Sequence, residues 1–487
     1  MTARRPLLVS IASALLFPAL LAATLPGCGG GGGGGGKSAA APVTSSGTGG
    51  TTSVTPTPAT SATGTPPASS TPALGRGLTW VRNNPMVITG LTVVMPAPTP
   101  THARAYFDDF GATAIHLWET GLPNESGGWM ASSLPGARWI SWVDRDGTSR
   151  DGGQLLGGLG RNPAGRIGYQ LGDEPPDLAA LLQMEAGALR VRAVDPDGLT
   201  ICNVVAGAAD IGVQLDTIGR SAAFDVFCYD DYRRSNSVYL HMQRLRMAGL
   251  RSGKPYWRYM NGFDFHGMPT ESSMRWDAFS GLVYGFTGHH WFIYQIEPSN
   301  PDLSPAFFDR KGDYEAPRSA RYAQAGQINR EMANLGRSIT QLTSTDVRYV
   351  PPTALLQPNG TIAWAPGAGG DTTITHIQPD GFHGLLVGHF VDDAGERYVM
   401  IQNTNHEDAT WPSDSTSSQT ISVDLDFGTA PTAATDRVLV LDKVSGQVVS
   451  TPLVVKAAGR SGTLRVTLNA GDPILFKYAT GKPFALR

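Results

Sequence analysis

Short apolar runs alternate with amphipathic stretches along the chain between about residues 78 and 337. Eight of these runs have the length and composition of buried strands. Because buried strands that alternate with helices form parallel sheets, the pattern predicts an α/β fold, namely a (β/α)8 TIM barrel, with an open doubly wound sheet as the alternative. The predicted strands are residues 86–95, 113–119, 139–144, 166–173, 199–205, 224–230, 255–263 and 289–295.

Amphipathic stretches between these strands predict helices. Pro175, Pro176 and Asp177 are expected to open the helix after the fourth strand, because proline is tolerated in a first turn and an acid suits the positive end of the helix. Residues 209–219 predict a short additional helix after the fifth strand. The other predicted helices are residues 100–111, 176–193, 238–250, 274–286 and 319–336.

The texture of the sequence changes after about residue 344. Apolar and polar residues now alternate in short runs separated by Gly, Asp, Asn and Pro, which is the pattern of half-buried antiparallel strands. We therefore predict an all-β antiparallel sandwich behind the barrel. The predicted segments are a leader (1–28), a linker (29–73), the barrel (74–343) and the sandwich (344–487).

The first 28 residues have the parts of a secretory signal. Arg4 and Arg5 precede an apolar run, which ends on Leu25-Pro26-Gly27-Cys28. This ending resembles the lipobox of bacterial lipoproteins, and the resemblance implies cleavage before Cys28 and a lipid on its thiol. An ordinary signal peptide or a single membrane span is the alternative. The Gly-, Ser-, Thr- and Pro-rich linker cannot bury enough apolar surface to fold, so we expect a lipid-anchored protein of the cell envelope, in the outer membrane if the cell is Gram-negative.

Composition excludes some function classes. With 487 residues and a formal net charge of -3, the chain is long enough for two or three domains and lacks the basic footprint of a nucleic-acid binder. Cys202 and Cys228 lie in apolar runs, where we expect two buried free thiols rather than a disulfide. No CxxC, HExxH or clustered His/Cys pattern indicates a metal site, and we expect no cofactor.

Carboxylates and aromatic residues follow the ends of several predicted strands. In a TIM barrel the strand C-termini build the active site, so these side chains should share one rim. Carboxylates protonate leaving groups and activate water, and aromatic faces stack on sugar rings, so the rim suits glycoside chemistry. The candidates are Trp118 and Glu119, Asp173 and Glu174, Asp230 and Tyr232, Asn261 and Asp264, and Tyr294 and Glu297.

Four segments in order resemble the barrel of bacterial glycoside hydrolase-like lipoproteins that are distantly similar to clan A glycosidases. They are GYQLGDEPP, FDVFCYDDY, KPYWRYMNGFDFHG and MRWDAFSGLVYGFTGHHWFIYQ. The resemblance implies that Glu174 is the general acid and that Asp230 matches the Asp of a D-x-Y motif. We expect burial and the neighbouring Asp173 to raise the pKa of Glu174, as a proton donor requires. The simpler alternative is that Asp173 and Glu174 only cap the following helix.

The sequence departs from the clan A pattern on the seventh strand, which contains no glutamate to serve as nucleophile. Asp230, Asp264 and Glu297 are the possible second carboxylates. We prefer Asp230, and we expect Asp231 to face solvent. The separation of the two carboxyls would then distinguish a retaining from an inverting mechanism.

Two further alternatives use the same residues differently. In hexosaminidase-like enzymes an adjacent Asp-Glu pair lets the Asp orient the substrate's acetamido group, which attacks while the Glu protonates; Asp173-Glu174 has that form, provided that the backbone bends between the two. The missing strand-seven glutamate also permits a barrel that binds glycans without cleaving them, and an assembly role is a third reading. The leading expectation is an envelope-anchored glycoside hydrolase that acts on an oligosaccharide or polysaccharide. Its expected substrate contacts are Asp173, Glu119, Trp118, Tyr232, Asn261, Asp264, Tyr294 and Glu297, with Trp257 and Trp291 as further sugar platforms.

Overall fold

A computed structural model describes most of the chain behind the linker. The predicted leader and linker, including Cys28, lie outside the described residues, as do Glu119, Glu297 and the side chain of Trp118. The described residues are 74–93, 99–118, 136–148, 165–232, 237–265, 267–296, 298, 300, 303–352, 357–381, 383–407, 417–428, 432–456 and 460–487.

Eight parallel strands form a closed barrel in chain order. Strand β1 pairs with both β2 and β8, which closes the sheet and excludes the open doubly wound alternative. Each predicted barrel strand is therefore confirmed, with its ends shifted by a few residues at most. The strands are β1 (Val87–Val93), β2 (Ile115–Trp118), β3 (Trp139–Val143), β4 (Arg166–Leu171), β5 (Leu199–Val205), β6 (Val226–Asp230), β7 (Tyr256–Asn261) and β8 (Gly288–Gln295).

The predicted helices are also present, and one helix that we did not predict precedes β1. In this first helix, Arg76 binds Asp225 and a ring contact joins Trp80 to Trp257, so it packs at the N-terminal end of the barrel strands. The helices are α1 (Arg76–Asn83), α2 (Pro100–Asp108), α3 (Leu178–Val194), α4 (Ile211–Arg220), α5 (Val238–Ser252), α6 (Glu271–Tyr284) and α7 (Ala320–Ile339).

Helix α3 begins later than the sequence suggested. Asp177 is its N-cap, and the Asp177 carboxylate accepts a hydrogen bond of 2.8 Å from the backbone N–H of Ala180. The two prolines thus precede the helix instead of filling its first turn. An N-cap acid satisfies a backbone donor that would otherwise lack a partner, so α3 needs no further cap from Asp173 or Glu174.

Two antiparallel sheets form the C-terminal domain and confirm the predicted sandwich. One sheet has the order β15-β14-β18-β12-β11-β9 and the other the order β10-β13-β17-β16. Val387 and Ile401 of the first sheet meet Ile421 and Leu464 of the second in one apolar core. The strands are β9 (Leu342–Val350), β10 (Ile374–Pro379), β11 (Leu385–Asp392), β12 (Arg397–Asn403), β13 (Gln419–Asp426), β14 (Arg437–Leu441), β15 (Val448–Pro452), β16 (Val454–Val455), β17 (Ser461–Leu468) and β18 (Pro473–Tyr478).

The barrel and the sandwich belong to one compact unit, Thr71–Arg487. Phe390 and Met400 of the larger sheet share a buried cluster with Phe279 and Leu282 of α6. Cys202 and Cys228 are buried free thiols, as predicted. In the part of the chain that the structure describes, no helix has the length and apolarity needed to span a bilayer.

Candidate active site

The backbone turns sharply where β4 ends. Gly172 has φ 56° and Glu174 has φ 36°, which places both in the left-handed region. Glu174 is the one non-glycine residue with positive φ in the described ranges, and such a conformation costs a side chain of this size about 1–3 kcal/mol. Strain of this kind persists only where the surroundings enforce it, and here it turns the Glu174 side chain towards β6.

The side-chain carboxyls of Glu174 and Asp230 lie next to each other. Asp230 is the last residue of β6 and is only 5% exposed. Its pKa is raised well above the ordinary value of an aspartate, first by burial, then by the charge of Glu174 and the hydrogen bond with it, and then by Asp173 and Asp231. The raised pKa in the structure thus belongs to Asp230, the more buried of the two carboxyls.

Asp173 is held beside this pair by amide donors. The side-chain amide of Asn203 on β5 donates a hydrogen bond of 2.7 Å to its carboxylate, and that of Gln170 donates a longer one of 3.4 Å. Arg145 donates to the backbone carbonyl of Asp173 at 3.0 Å. Hydrogen bonds to a carboxylate favour its charged form and fix its direction. The turn after β4 thus presents two carboxyls: that of Asp173, which amide groups restrain, and that of Glu174, which lies next to Asp230.

Hydrogen-bonded polar side chains inside the barrel hold Gln170, which in turn donates to Asp173. The hydroxyl of Tyr259 donates to the Gln170 carbonyl at 2.7 Å and lies 3.3 Å from Nδ1 of His116. We did not predict roles for Gln170, Asn203 or Tyr259. The sequence does contain a signal that could have found them. Each is a polar residue in the middle of a buried apolar strand, whereas a barrel interior is normally filled by branched aliphatic side chains.

Asp231 does not face solvent, contrary to the prediction. It is 7% exposed, and its carboxylate lies 2.6 Å from Nδ1 of His241 on α5. The reason is that α5 folds back over the end of β6, so the residue after the strand is covered by a helix whose position the local sequence does not reveal. Asp230 and Asp231 therefore both stay inside, with different partners.

Tyr232 and Asn261 lie at the same rim. Tyr232 is half-buried against Phe263 and Phe292, and its pKa is raised well above the ordinary value by burial and then by the charge of Asp230. Asn261 ends β7, in the region of the strand where the clan A resemblance implied a glutamate. The structure thus brings Asp173, Glu174, Asp230, Tyr232 and Asn261 to one end of the barrel.

Other expected contacts lie elsewhere. Tyr294 packs in an aromatic layer with Tyr106 and Phe110 instead of lining the rim, since it is on the outer face of β8. Trp291 is equally enclosed and donates to Asn329 of α7. Asp264 is exposed and accepts a hydrogen bond from the backbone of Gly267. Trp257 is fully buried at the start of β7, away from the rim. The roles expected for Trp118, Glu119 and Glu297 stay predictions, because these side chains lie outside the described residues.

Glu174 lies close enough to Asp230 for its charge to raise the pKa of the Asp230 carboxyl. Because neighbouring like charges disfavour ionisation of both groups at once, the pair favours a state in which one carboxyl keeps its proton. Among the described side chains, no group of three or more His, Cys, Asp or Glu is arranged to hold a metal ion.

Fold and site together define the class: a (β/α)8 barrel with a carboxyl cluster at its C-terminal rim, followed by a β-sandwich. This is the architecture that the resemblance implied, and the sheet topology confirms it. No family model matches the chain, and no curated protein matches it.

Several solved structures with a similar arrangement are glycoside hydrolases by name, and another is the carboxyl transferase domain of a pyruvate carboxylase from Rhizobium etli. A β-galactosidase from Bacillus circulans is 8% identical and covers 81% of this chain and 99% of its own, with a TM-score of 0.49. A family 5 glycoside hydrolase from Bacteroides vulgatus is 10% identical over 82% and 90% of the two chains, with a TM-score of 0.48. A GH30 endoxylanase from Clostridium papyrosolvens is 11% identical over 81% and 97%, with a TM-score of 0.42. Likeness at this level carries no argument about chemistry, which has to come from the site.

Proposed function

We propose that the protein is a glycoside hydrolase that cleaves glycosidic bonds of an extracellular or envelope polysaccharide by carboxylate chemistry at Glu174 and Asp230. The observation that carries the proposal is the pair of neighbouring carboxyls, Glu174 and the buried Asp230, at the C-terminal rim of the barrel. Burial and a neighbouring acid favour the protonated form of Asp230, and a group that keeps its proton is the first requirement for protonating a leaving group.

In this proposal the two carboxyls divide the work. Asp230 is enclosed and stores the proton, while Glu174 is half-buried and faces the mouth of the barrel. When the glycosidic oxygen binds at Glu174, the proton passes from Asp230 to Glu174 and then to that oxygen as the bond from the sugar carbon to it breaks. The oxygen of a water molecule then forms a bond to the same sugar carbon, and the water gives one proton to the carboxyl pair. The site thus ends in its starting state.

Asp173 supplies the second function of the site. In this proposal the Asp173 carboxylate, which Asn203 holds by a hydrogen bond, faces the sugar ring on which positive charge develops. A fixed negative group at that position stabilises an oxocarbenium-like transition state without having to move during the reaction. This role needs no glutamate on β7, where the chain has Asn261.

The backbone turn favours a more specific second candidate, which is substrate-assisted hydrolysis. That mechanism requires the chain to bend between Asp173 and Glu174, and Glu174 has the left-handed φ of 36°. Asp173 would then orient the acetamido group of a 2-acetamido sugar, which attacks its own anomeric carbon while Glu174 protonates the leaving oxygen. Hydrolysis of N-acetylated substrates alone, with no turnover of their 2-hydroxy counterparts, would distinguish this candidate from a protein-carboxylate mechanism.

A turnover screen tests the proposal. The purified full-length protein is incubated with a panel of aryl glycosides and bacterial polysaccharides, beside Glu174→Gln and the control Glu185→Gln on the outer helix α3. We expect turnover that is lost in Glu174→Gln, partly recovered with substrates whose leaving groups need no protonation, and unchanged in the control. The recovery separates loss of an acid from loss of the fold.

Two results would overturn the proposal, the first by rejecting an enzyme and the second by rejecting Glu174 as its acid. Saturable glycan binding without turnover, equal in wild type and Glu174→Gln, would assign the chain to non-catalytic glycan binding. Turnover that survives Glu174→Gln for substrates with poor leaving groups would move the chemistry to another residue. The first result would agree with Asn261 standing where a nucleophile was expected.

We also propose that the enzyme works in the cell envelope, tethered by a lipid on Cys28, in the outer membrane if the host is Gram-negative. The lipobox-like ending of the leader and the following glycine-rich linker support this location. Changing Cys28→Ser should move the protein from the membrane fraction to the soluble fraction without changing its turnover. Equal membrane retention of the two forms would contradict lipidation at this residue.

A further inference from the structure

A small pocket lies beside the carboxyl cluster, between the ends of β6 and β7 and the first turns of α6. Its wall adjoins the cluster, because the lining residue Asp231 follows Asp230 directly in the chain and the charge of Asp230 acts on Tyr232, another lining residue. Neither the proton pair nor Asp173 forms its wall. Its lining includes Asp231, Tyr232, Asn261, Ser273, Met274 and Trp276.

Asn261 has an unused hydrogen-bond donor in this pocket. It is 6% exposed, and its side-chain oxygen accepts a hydrogen bond of 3.1 Å from the backbone N–H of Phe263. That contact fixes which end of the amide is oxygen, so Nδ2 is the end without a protein partner. A buried donor left unsatisfied costs about 1–3 kcal/mol, and such a group calls for an explanation such as a bound molecule.

The position of Asn261 is set by its backbone. Its N–H donates to the Asp277 carboxylate at 3.1 Å, and Asp277 is in turn bound by the guanidinium of Arg258. A second contact at 2.9 Å joins the same guanidinium to the Asp277 backbone carbonyl. Because β7 and α6 are clamped together in this way, the free amide points into a preformed space. Binding there would require little reorganisation.

The sandwich domain holds the opposite wall of the pocket. The ring of Trp276 on α6 stacks on His406 with centroids 4.3 Å apart and planes 11° apart. Thr270, the N-cap of α6, donates to the backbone carbonyl of Glu407, and the Glu407 N–H donates to Ser272, both at 2.9 Å. His406 and Glu407 of the sandwich therefore contact the start of α6. The pocket is a product of both domains.

Size and charge restrict what the pocket can bind. Its enclosed part has room for about one water molecule, which fits a single substituent and excludes a second sugar ring. Asp231 and Asp277 line the same space, so a neutral oxygen suits the Asn261 donor better than a carboxylate or a sulfate does. A sugar hydroxyl or hydroxymethyl group satisfies both conditions.

We propose that this pocket is a specificity subsite in which Asn261 Nδ2 donates a hydrogen bond to one hydroxyl oxygen of the sugar bound at Glu174. The inference rests on the proposed glycosidase function. It adds the residue that recognises the substrate and the class of group that it recognises.

The test removes the two partners of this bond one at a time. The aryl glycoside that wild type turns over fastest is compared with its monodeoxy derivatives, each lacking one hydroxyl, in wild type, Asn261→Ala and Asn261→Asp. Asn261→Asp keeps the oxygen that accepts from Phe263 and so protects the fold if Asn261→Ala does not. Asn83→Ala and Asn83→Asp, on the exposed side of α1, make the same changes far from the site.

We expect one deoxy derivative to lose about tenfold in kcat/KM with wild type and less than about twofold with either Asn261 variant, because the donor is already gone. The Asn83 variants should discriminate like wild type. Unchanged discrimination for every hydroxyl in both Asn261 variants would overturn the subsite and leave the enzyme intact. Absence of glycan turnover and binding in wild type would overturn the proposed function and this inference with it.

Discussion

Two buried acidic clusters in this molecule have opposite electrostatics. At the rim of the barrel, Asp230 is 5% exposed and faces the carboxyls of Glu174, Asp173 and Asp231. At the junction with the sandwich, Glu331 is 2% exposed and faces two cations. The two acids are about equally buried, yet the pKa of Asp230 is raised and that of Glu331 is lowered.

The cations explain the difference. Burial by itself would raise the pKa of Glu331, but hydrogen bonds from Arg275 and Lys443 and their charges outweigh that effect. Arg275 also binds Asp472 of the sandwich at 2.8 Å, and Lys443 reaches the same carboxylate at 3.3 Å. The junction is a neutralised network that links α6 and α7 with two turns of the sandwich.

The comparison teaches that burial alone does not identify a working acid. A structural cluster compensates its charges, whereas the rim cluster leaves like charges together and enforces a strained backbone at Glu174. Uncompensated charge lowers stability, so its presence in one cluster and not in the other indicates function at the rim. Substitutions in the two clusters test this difference between a functional and a structural cluster.

The largest expected effect concerns Glu174. Replacing it by Gln should reduce turnover of substrates with poor leaving groups by about 10²- to 10⁴-fold, since proton transfer from a positioned acid contributes about that much. Stability should stay level or rise, because the substitution removes one of the repelling carboxylates. Steady-state rates measure the turnover, and thermal unfolding measures the stability. A large loss of stability with no loss of turnover would make the rim cluster structural.

Glu331→Gln is the matched change in the junction. It leaves the buried cations Arg275 and Lys443 partly unpaired, which should cost about 3–5 kcal/mol of unfolding free energy. Turnover measured at a temperature where the variant is folded should stay within a few fold of wild type. Denaturant unfolding at pH 7 measures the loss of unfolding free energy. If the stability of this variant equals that of wild type, the junction does not depend on charge compensation.

Buried histidines in the barrel provide a third case, in which the charge is avoided altogether. Burial lowers the pKa of His290 to about 3, whereas an unfolded histidine has a pKa of about 6.5. The stability that this neutral ring contributes is therefore complete above about pH 6.5 and falls as pH is lowered, by roughly 2 kcal/mol at pH 5. Unfolding curves at pH 7 and pH 5 should show that loss, reduced in His290→Asn. An equal loss in the variant would assign acid sensitivity to other groups.

Asp230→Asn should have the smallest effect on stability, and in the favourable direction. The folded pKa of Asp230 lies above the unfolded value of about 3.9, so its contribution is complete below that pH and is lost as pH rises through the folded pKa. The amide does not ionise and still donates to Glu174. We expect the variant to be more stable than wild type at pH 7, to equal it at pH 3.5, and to lose most of its turnover. Lower stability than wild type at pH 7 would contradict the raised pKa.

The eight barrel strands were predictable because each is a buried apolar run ended by polar or turn residues. The same local signals located Asp173 and Glu174 at the end of β4 and Asp230 at the end of β6. Helix α1 was missed because its short sequence, RGLTWVRN, has too few apolar positions to stand out. The burial of Asp231 was missed because His241 and the helix that covers it lie ten residues further along the chain.

By itself, the sequence determined the order of strands and helices, the break into two folded domains and the set of acids at the strand ends, because these depend on local patterns of apolar residues and turns. Only the tertiary structure decided which acids meet. Glu174 and Asp230 come from β4 and β6, two strands that do not pair, and closure of the barrel turns alternate strands towards the same interior layer. It likewise decided that Tyr294 packs outward and that His406 and Glu407 of the sandwich contact α6. Such contacts join distant parts of the chain, so no local pattern encodes them.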